Sequence, residues 1–280
     1  MKKQQFILLS GGFILLIVLY FFGNTTAPVS ATTSSVNSDK ANSGITTTEV
    51  LNAGKKNITA QQSAYLTQLE NSVVRGNVKE QQIRIYRQLA AYWQDTLHQQ
   101  TIAAYYFGEE AKLENSEKNL NFAARLLLVH LMAEDNPAMQ NWLATNAKVL
   151  FEKSLQINPA NDSVRIELGA CYIFGNISNT PMEGILKIKQ VADKDPGNMY
   201  AQLILGLGDI KSGQYDKAAE RLQLVTEKEP NNLQAVFNLA ETYERKGDKA
   251  NAVAWYRKAQ NIVSLPEAKR EIEEKIRTLQ

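Results

Sequence analysis

Apolar and polar positions divide this chain into three regimes. Phe6 to Phe22 is an uncharged run of 17 residues, which predicts a helix about 25 Å long at roughly 1.5 Å per residue. The next stretch, 24–58, alternates Ser, Thr, Asn, Ala and Gly without one aromatic residue. Such a composition buries too little apolar surface to offset its ordering entropy, so a flexible linker is expected there. From Thr59 onward apolar residues recur at spacings of three and four, which predicts successive amphipathic helices. The last of these, in Glu267–Gln280, puts Ile272, Ile276 and Leu279 on one face and charges on the others.

The amino end reads as a signal anchor over residues 1–23. Lys2 and Lys3 precede the apolar run and the next basic residue is Lys40, a bias that puts the amino end in the cytoplasm and the rest outside. Seventeen residues lie at the border between a signal-peptide core and a membrane span. Cleavage after Val29-Ser30-Ala31, giving a secreted or periplasmic form, is the alternative. A single-pass membrane protein with an extracytoplasmic body is the expectation, periplasmic in a Gram-negative cell. A linker of about 34 residues reaches on the order of 30–35 Å.

Within the helical region the spacing repeats. Pro159, Pro196 and Pro230 are 37 and 34 residues apart, as are Leu168, Leu205 and Leu239, while Ala218 and Ala252 are 34 apart. Leu168-Gly169-x-x-Tyr172, Leu205-Gly206 and Leu239-Ala240-x-x-Tyr243 each open a unit. Proline then stops the second helix of a pair.

A 34-residue period with these residues resembles the tetratricopeptide repeat. The likeness is close over 162–264 and weaker over the rest of 59–264, where about five repeats are counted. It implies an all-α fold: a right-handed superhelical α-solenoid of helix–turn–helix repeats, preceded by the single transmembrane or signal helix. Leu168, Gly169, Tyr172, Leu205, Gly206, Ala218, Leu239, Ala240, Tyr243 and Ala252 would pack the helix pairs. Two departures stand out: Gly184 occupies a place where alanine is usual, and Ser264 replaces the last proline. Thr59–Val74 is a helix without an evident partner. Residues 265–280 would cap the open end of the array, the alternative being a partner-binding tail.

Charge and chemistry narrow the function. With 31 Lys+Arg against 29 Asp+Glu, the net charge of +2 gives no electrostatic footprint for nucleic acid. The single cysteine, Cys171, and two histidines, His98 and His130, supply little for metal or acid–base chemistry, and no phosphate-loop, zinc-protease or serine-hydrolase motif occurs. No catalytic residue, metal site or cofactor is expected, and the protein is read as no enzyme.

What remains is surface. In the resembled family the first helices line a concave groove. Its facing positions fall on Ser163, Ile166, Ala170 and Ile173, then Tyr200, Leu203, Leu207 and Ile210, then Gln234, Phe237, Glu241 and Glu244. The stripe runs from apolar to acidic, and either a bound segment or the array's own curling would cover it. If Leu207 faces an open groove, a carboxylate there abolishes binding and leaves folding intact. The family's Lys/Asn/Arg set for a terminal carboxylate is absent from those positions, with Asn238 alone too common to count. The expected function is a membrane-tethered adaptor that docks another protein or peptide in assembly of an envelope complex, with the bilayer contacted through residues 6–22. A self-associating scaffold, in which the stripe is a homodimer interface, is the alternative.

Overall fold

A stop-and-start signal sets the architecture. Pro159, Pro196 and Pro230 are each followed two places on by an asparagine: Asn161, Asn198 and Asn232. Each asparagine caps a first helix by accepting a backbone N–H three residues ahead, from Val164 at 3.1 Å and from Ala201 and Ala235 at 3.0 Å. The donors at a helix start lack partners inside the helix, so these caps fix where each unit begins.

The computed structural model describes residues 44–75, 78–177 and 181–280, and those residues hold thirteen α-helices and no strand. The three capped helices are α7 (Asp162–Phe174), α9 (Met199–Lys211) and α11 (Leu233–Arg245), paired with α8 (Met182–Lys194), α10 (Tyr215–Lys228) and α12 (Lys249–Ile262). Ahead of them lie α1 (Thr47–Gly54), α2 (Ala60–Arg75), α3 (Lys79–Ala91), α4 (Gln100–Glu114), α5 (Glu117–Met132) and α6 (Pro137–Ile157). A π-helical turn, Tyr92–Thr96, extends α3, and α13 (Pro266–Leu279) closes the chain. Gly213 and Gly247 follow first helices with φ of 75° and 78°, and Asn176 holds the matching place at 50°. Glycine adopts this left-handed conformation freely and asparagine tolerates it. The turns return Gln214 N–H to the Asp209 carbonyl at 2.8 Å and Asp248 N–H to that of Tyr243 at 2.9 Å.

From α2 onward, helices adjacent in the chain pack together, and α5, α7, α9 and α11 also touch one another in succession. That nearest-neighbour pattern is an α-solenoid. The first helices contribute the fully buried Leu89, Leu127 and Leu239, and the second helices Phe151, Ile188 and Leu222. At the carboxyl end Ile272 and Ile276 of α13 join a core with Val236, Tyr256 and Val263. Each isoleucine so buried stabilises the end by about 1.5–3 kcal/mol. Tyr256 Oη donates to Glu244 at 2.6 Å, and Lys275 of α13 lies 3.3 Å from the same carboxylate.

The amino side differs from the expectation in two ways. Part of the stretch read as linker is helical: α1 carries a reciprocal cap in which Thr46 N–H donates to Glu49 at 2.8 Å and Glu49 N–H to Thr46 Oγ1 at 3.2 Å. Val50 is buried, Gly54 abuts Ile102 and Trp93, and Trp142 Nε1 donates to Thr47 Oγ1 at 3.0 Å. These contacts supply the burial that composition alone does not suggest. The helix read as lacking a partner, α2, packs on α3 with Leu66 fully buried. The apolar run 6–22, the cleavage site and the linker up to residue 43 lie outside the described residues. Among those described, no helix is long and apolar enough to cross a membrane.

Gly184 has a geometric reason. A Cβ there would lie 2.4 Å from the Gly169 carbonyl oxygen, and one on Gly169 would lie 2.7 Å from that of Gly184. Helices α7 and α8 therefore cross backbone against backbone. Alanine would gain up to about 1 kcal/mol in helix propensity, but overpacking costs about 1–3 kcal/mol. Gly184→Ala is expected to lower the thermal midpoint; an unchanged or raised midpoint would show that the pair separates at little cost.

Candidate functional site: the inner groove

Four successive first helices bend around one cavity. Its volume is about 410 Å³, and its lining includes Leu131 and Met132 from α5, Phe174 from α7, Leu207 and Lys211 from α9, and Asn238 and Arg245 from α11. Helices as far apart in sequence as α5 and α11 meet the same space only if their row is concave on that side. A second cavity of about 650 Å³ opens between α11 and the terminal helix. Leu233, Phe237, Val263 and Ile272 make its apolar wall, with Gln234, Glu271 and Lys275 at its edge. Asn238 lines both cavities. The two spaces therefore adjoin at α11.

Curvature rearranges the expected facing positions. Ile166, Ala170, Ile173 and Leu203 are buried, taken up where first helices pack on one another. A Cβ on Gly208 of α9 would meet Ile173 Cγ2 at 3.4 Å, which marks that contact. These four are corrected from groove to core, since none lines either cavity. Leu207 and Ile210 do line the central cavity but are each only 7% exposed, so they form a floor rather than an open stripe. Tyr200 is exposed, and Phe237, Glu241 and Glu244 are half-buried. Glu241 accepts from Arg245 at 2.7 Å, and Glu244 is held by Tyr256 and Lys275. Of the residues assigned to helix packing, all are buried except Tyr243, which is half-buried and accepts from Gln223 at 2.6 Å.

Several lining residues escaped the sequence reading. Phe174, Lys211 and Arg245 end their helices one position beyond the stripe expected to face the groove, and Met132 ends α5, on which no facing position was assigned. Asn238 belongs to the groove through the neighbours that it touches there. The repeated Lys/Arg at the end of α9 and α11 was the available signal.

An ion pair ties the first helices together deeper in the array. Arg125 Nε on α5 donates to Glu167 Oε1 on α7 at 2.7 Å, while the buried Oε2 has no hydrogen-bond partner in the chain. Burial pushes the Glu167 carboxyl above its ordinary value, with Arg125 pulling the other way. Cys171 is fully buried, and burial pushes its thiol up. That removes the thiolate needed for nucleophilic or ligating chemistry. Among the described residues no group of three or more His, Cys, Asp or Glu is placed to hold a metal ion. What the arrangement offers is an apolar groove edged by charge.

Over residues 205–267 the chain matches the family model of the tetratricopeptide repeat. That stretch runs from the middle of α9 through α10, α11 and α12 into the first residues of α13. Among solved structures the chain is similar to TTC0263, a thermophilic repeat protein of Thermus thermophilus, at 18% identity and a TM-score of 0.50, over 72% of this chain and 98% of that one. PilW, described as a widely conserved type IV pilus biogenesis factor, is 19% identical with a TM-score of 0.47, covering 70% of this chain and 92% of its own. YrrB, described as having an unusual peptide-binding site, is 17% identical with a TM-score of 0.41, covering 74% and 97%. These likenesses concern the fold.

Two outcomes follow. Leu207→Glu is expected to unfold the array at lower temperature, because its carboxylate would be desolvated against the floor. Met132→Glu, at a side chain 38% exposed, should leave the midpoint nearly unchanged; equal losses would place Met132 in the core. The second concerns pH. With its pKa raised, folded Glu167 holds its proton more tightly than the unfolded chain does. Its contribution to stability is full below the ordinary carboxylate range and is lost as pH rises through the raised value. Glu167→Gln should lack that loss when denaturant midpoints are compared from about pH 4 to about pH 7. Parallel profiles would mean that Arg125 offsets the burial.

Proposed function

We propose that the protein is a membrane-tethered adaptor that captures a segment of another protein in its inner groove during assembly of an envelope complex. The observation that carries the reading is that two cavities along the first helices share Asn238 in their linings. Two adjoining cavities along successive first helices suit an extended peptide segment better than a compact small molecule, which would fill one enclosed pocket. The groove positions proposed to meet the segment are Leu207 and Ile210 at the floor and Phe237 at the terminal cavity, with the exposed Tyr200 kept from the register-based expectation. The extracytoplasmic placement rests on Lys2, Lys3 and the apolar run 6–22, through which the chain would contact the bilayer.

The tether is tested by fractionation. The protein should stay with membranes through an alkaline wash; a soluble mature form beginning near Thr32 would replace the anchor with a cleaved secretory signal.

A further inference from the structure

The charges around the central cavity are not equally engaged. Glu134 Oε1 is taken up by its own loop, accepting from Asp135 N–H at 3.0 Å and Asn136 N–H at 2.8 Å. Arg245 is held by Glu241. Lys211 is different. Its Nζ donates to the Phe174 carbonyl at 3.2 Å and lies 5.6 Å from the centre of the Phe174 ring, yet no carboxylate among the described residues lies within 4 Å of it. A neighbouring helix therefore fixes the ammonium in position without neutralising it. Lys211 remains exposed to solvent, and the part of it that is covered lowers its pKa, with no counter-charge to offset that shift.

Beside that ammonium the floor is apolar, with Leu207, Ile210 and Met132 within one cavity. A fixed cation next to a desolvating wall recognises an anion carried on an apolar segment. The wall contributes burial, and the reduced dielectric strengthens the charge-assisted bond. Resting on the adaptor reading above, we propose that the groove selects protein segments in which an Asp or Glu side chain is flanked by large apolar residues. The acid meets Lys211 with Arg245 close by, and an apolar side chain reaches the terminal cavity at Phe237. A basic segment would bring its charge against Lys211 and is disfavoured. Asp135, exposed in the lining of the same cavity, repels an acid from its own vicinity.

The test is a selection of random linear peptides displayed on phage against the full 280-residue chain in non-ionic detergent. Affinities of the enriched peptides are then read by fluorescence anisotropy. Enriched peptides should carry an acidic residue near large apolar ones, and Lys211→Ala should weaken them about tenfold or more, the loss expected for a charge-assisted contact. Lys211→Glu should shift selection toward Lys- or Arg-bearing peptides. Two variants at exposed groove residues, Met132→Glu and Leu233→Glu, separate the failures. Binding that both abolish but Lys211→Ala leaves intact would overturn the acid assignment and keep the groove. Binding indifferent to both would overturn the groove reading itself. Enrichment of sequences matching residues 24–43 would assign the cavity to this chain's own amino-terminal segment. Dimerisation that Lys211→Glu abolishes would assign it to a second copy, and either result overturns the proposal.

Discussion

No helix of this protein can cover its apolar face alone, and the rest of the structure follows from that constraint. A first helix such as α9 needs α10 on one side and α7 and α11 along the row. Stability is therefore a sum of neighbour interfaces rather than the property of one central core. At Gly169 against Gly184 two backbones come together. Elsewhere a leucine does the same work, as Leu222 does beneath Gly206. These contacts set the separation within a pair, while contacts between successive first helices, such as Gly208 against Ile173, set how one pair leans over the next, and the accumulated lean makes the inner surface concave. The groove is thus a by-product of packing. Its residues had to serve both purposes.

This double role explains what could be read from the sequence and what could not. The spacing of Pro159, Pro196 and Pro230 and the small residues Gly169, Gly206 and Ala240 reflect requirements inside one helix pair, which repeat faithfully. Contacts between first helices depend on curvature, which no single unit encodes. So Ile166, Ala170, Ile173 and Leu203 look like groove residues by register and are core residues by packing. Residues one position further along, from Phe174 to Lys211 and Arg245, reach the open side instead. The helix α1 was hidden for another reason. Its cap, Thr46-x-x-Glu49, is embedded in a run of small polar residues whose composition outweighs it, and its partners Trp93, Ile102 and Trp142 lie far along the chain.

The two ends of the array solve different problems. At the amino side, α1 and α2 bury Val50 and Leu66 against the first full pairs. At the carboxyl side, α13 presents Ile272 and Ile276 inward and a charged surface outward. The last turn of that helix also bridges to Glu244, so the cap belongs to the wall of the terminal cavity as much as to the end of the fold. A change in how α13 sits would alter the shape of the binding track directly.

Asn238, shared by both cavities, has a consequence for kinetics. A segment long enough to occupy the two spaces makes a pair of linked encounters, and once one half is seated the other half binds at a high effective concentration. Two individually weak contacts then give a complex that forms quickly and releases only when both let go. A competitor able to enter one cavity need not outbind the whole segment. It can hold one half open while the other dissociates, so such a complex can be exchanged stepwise, handing its partner onward without ever presenting a fully empty groove.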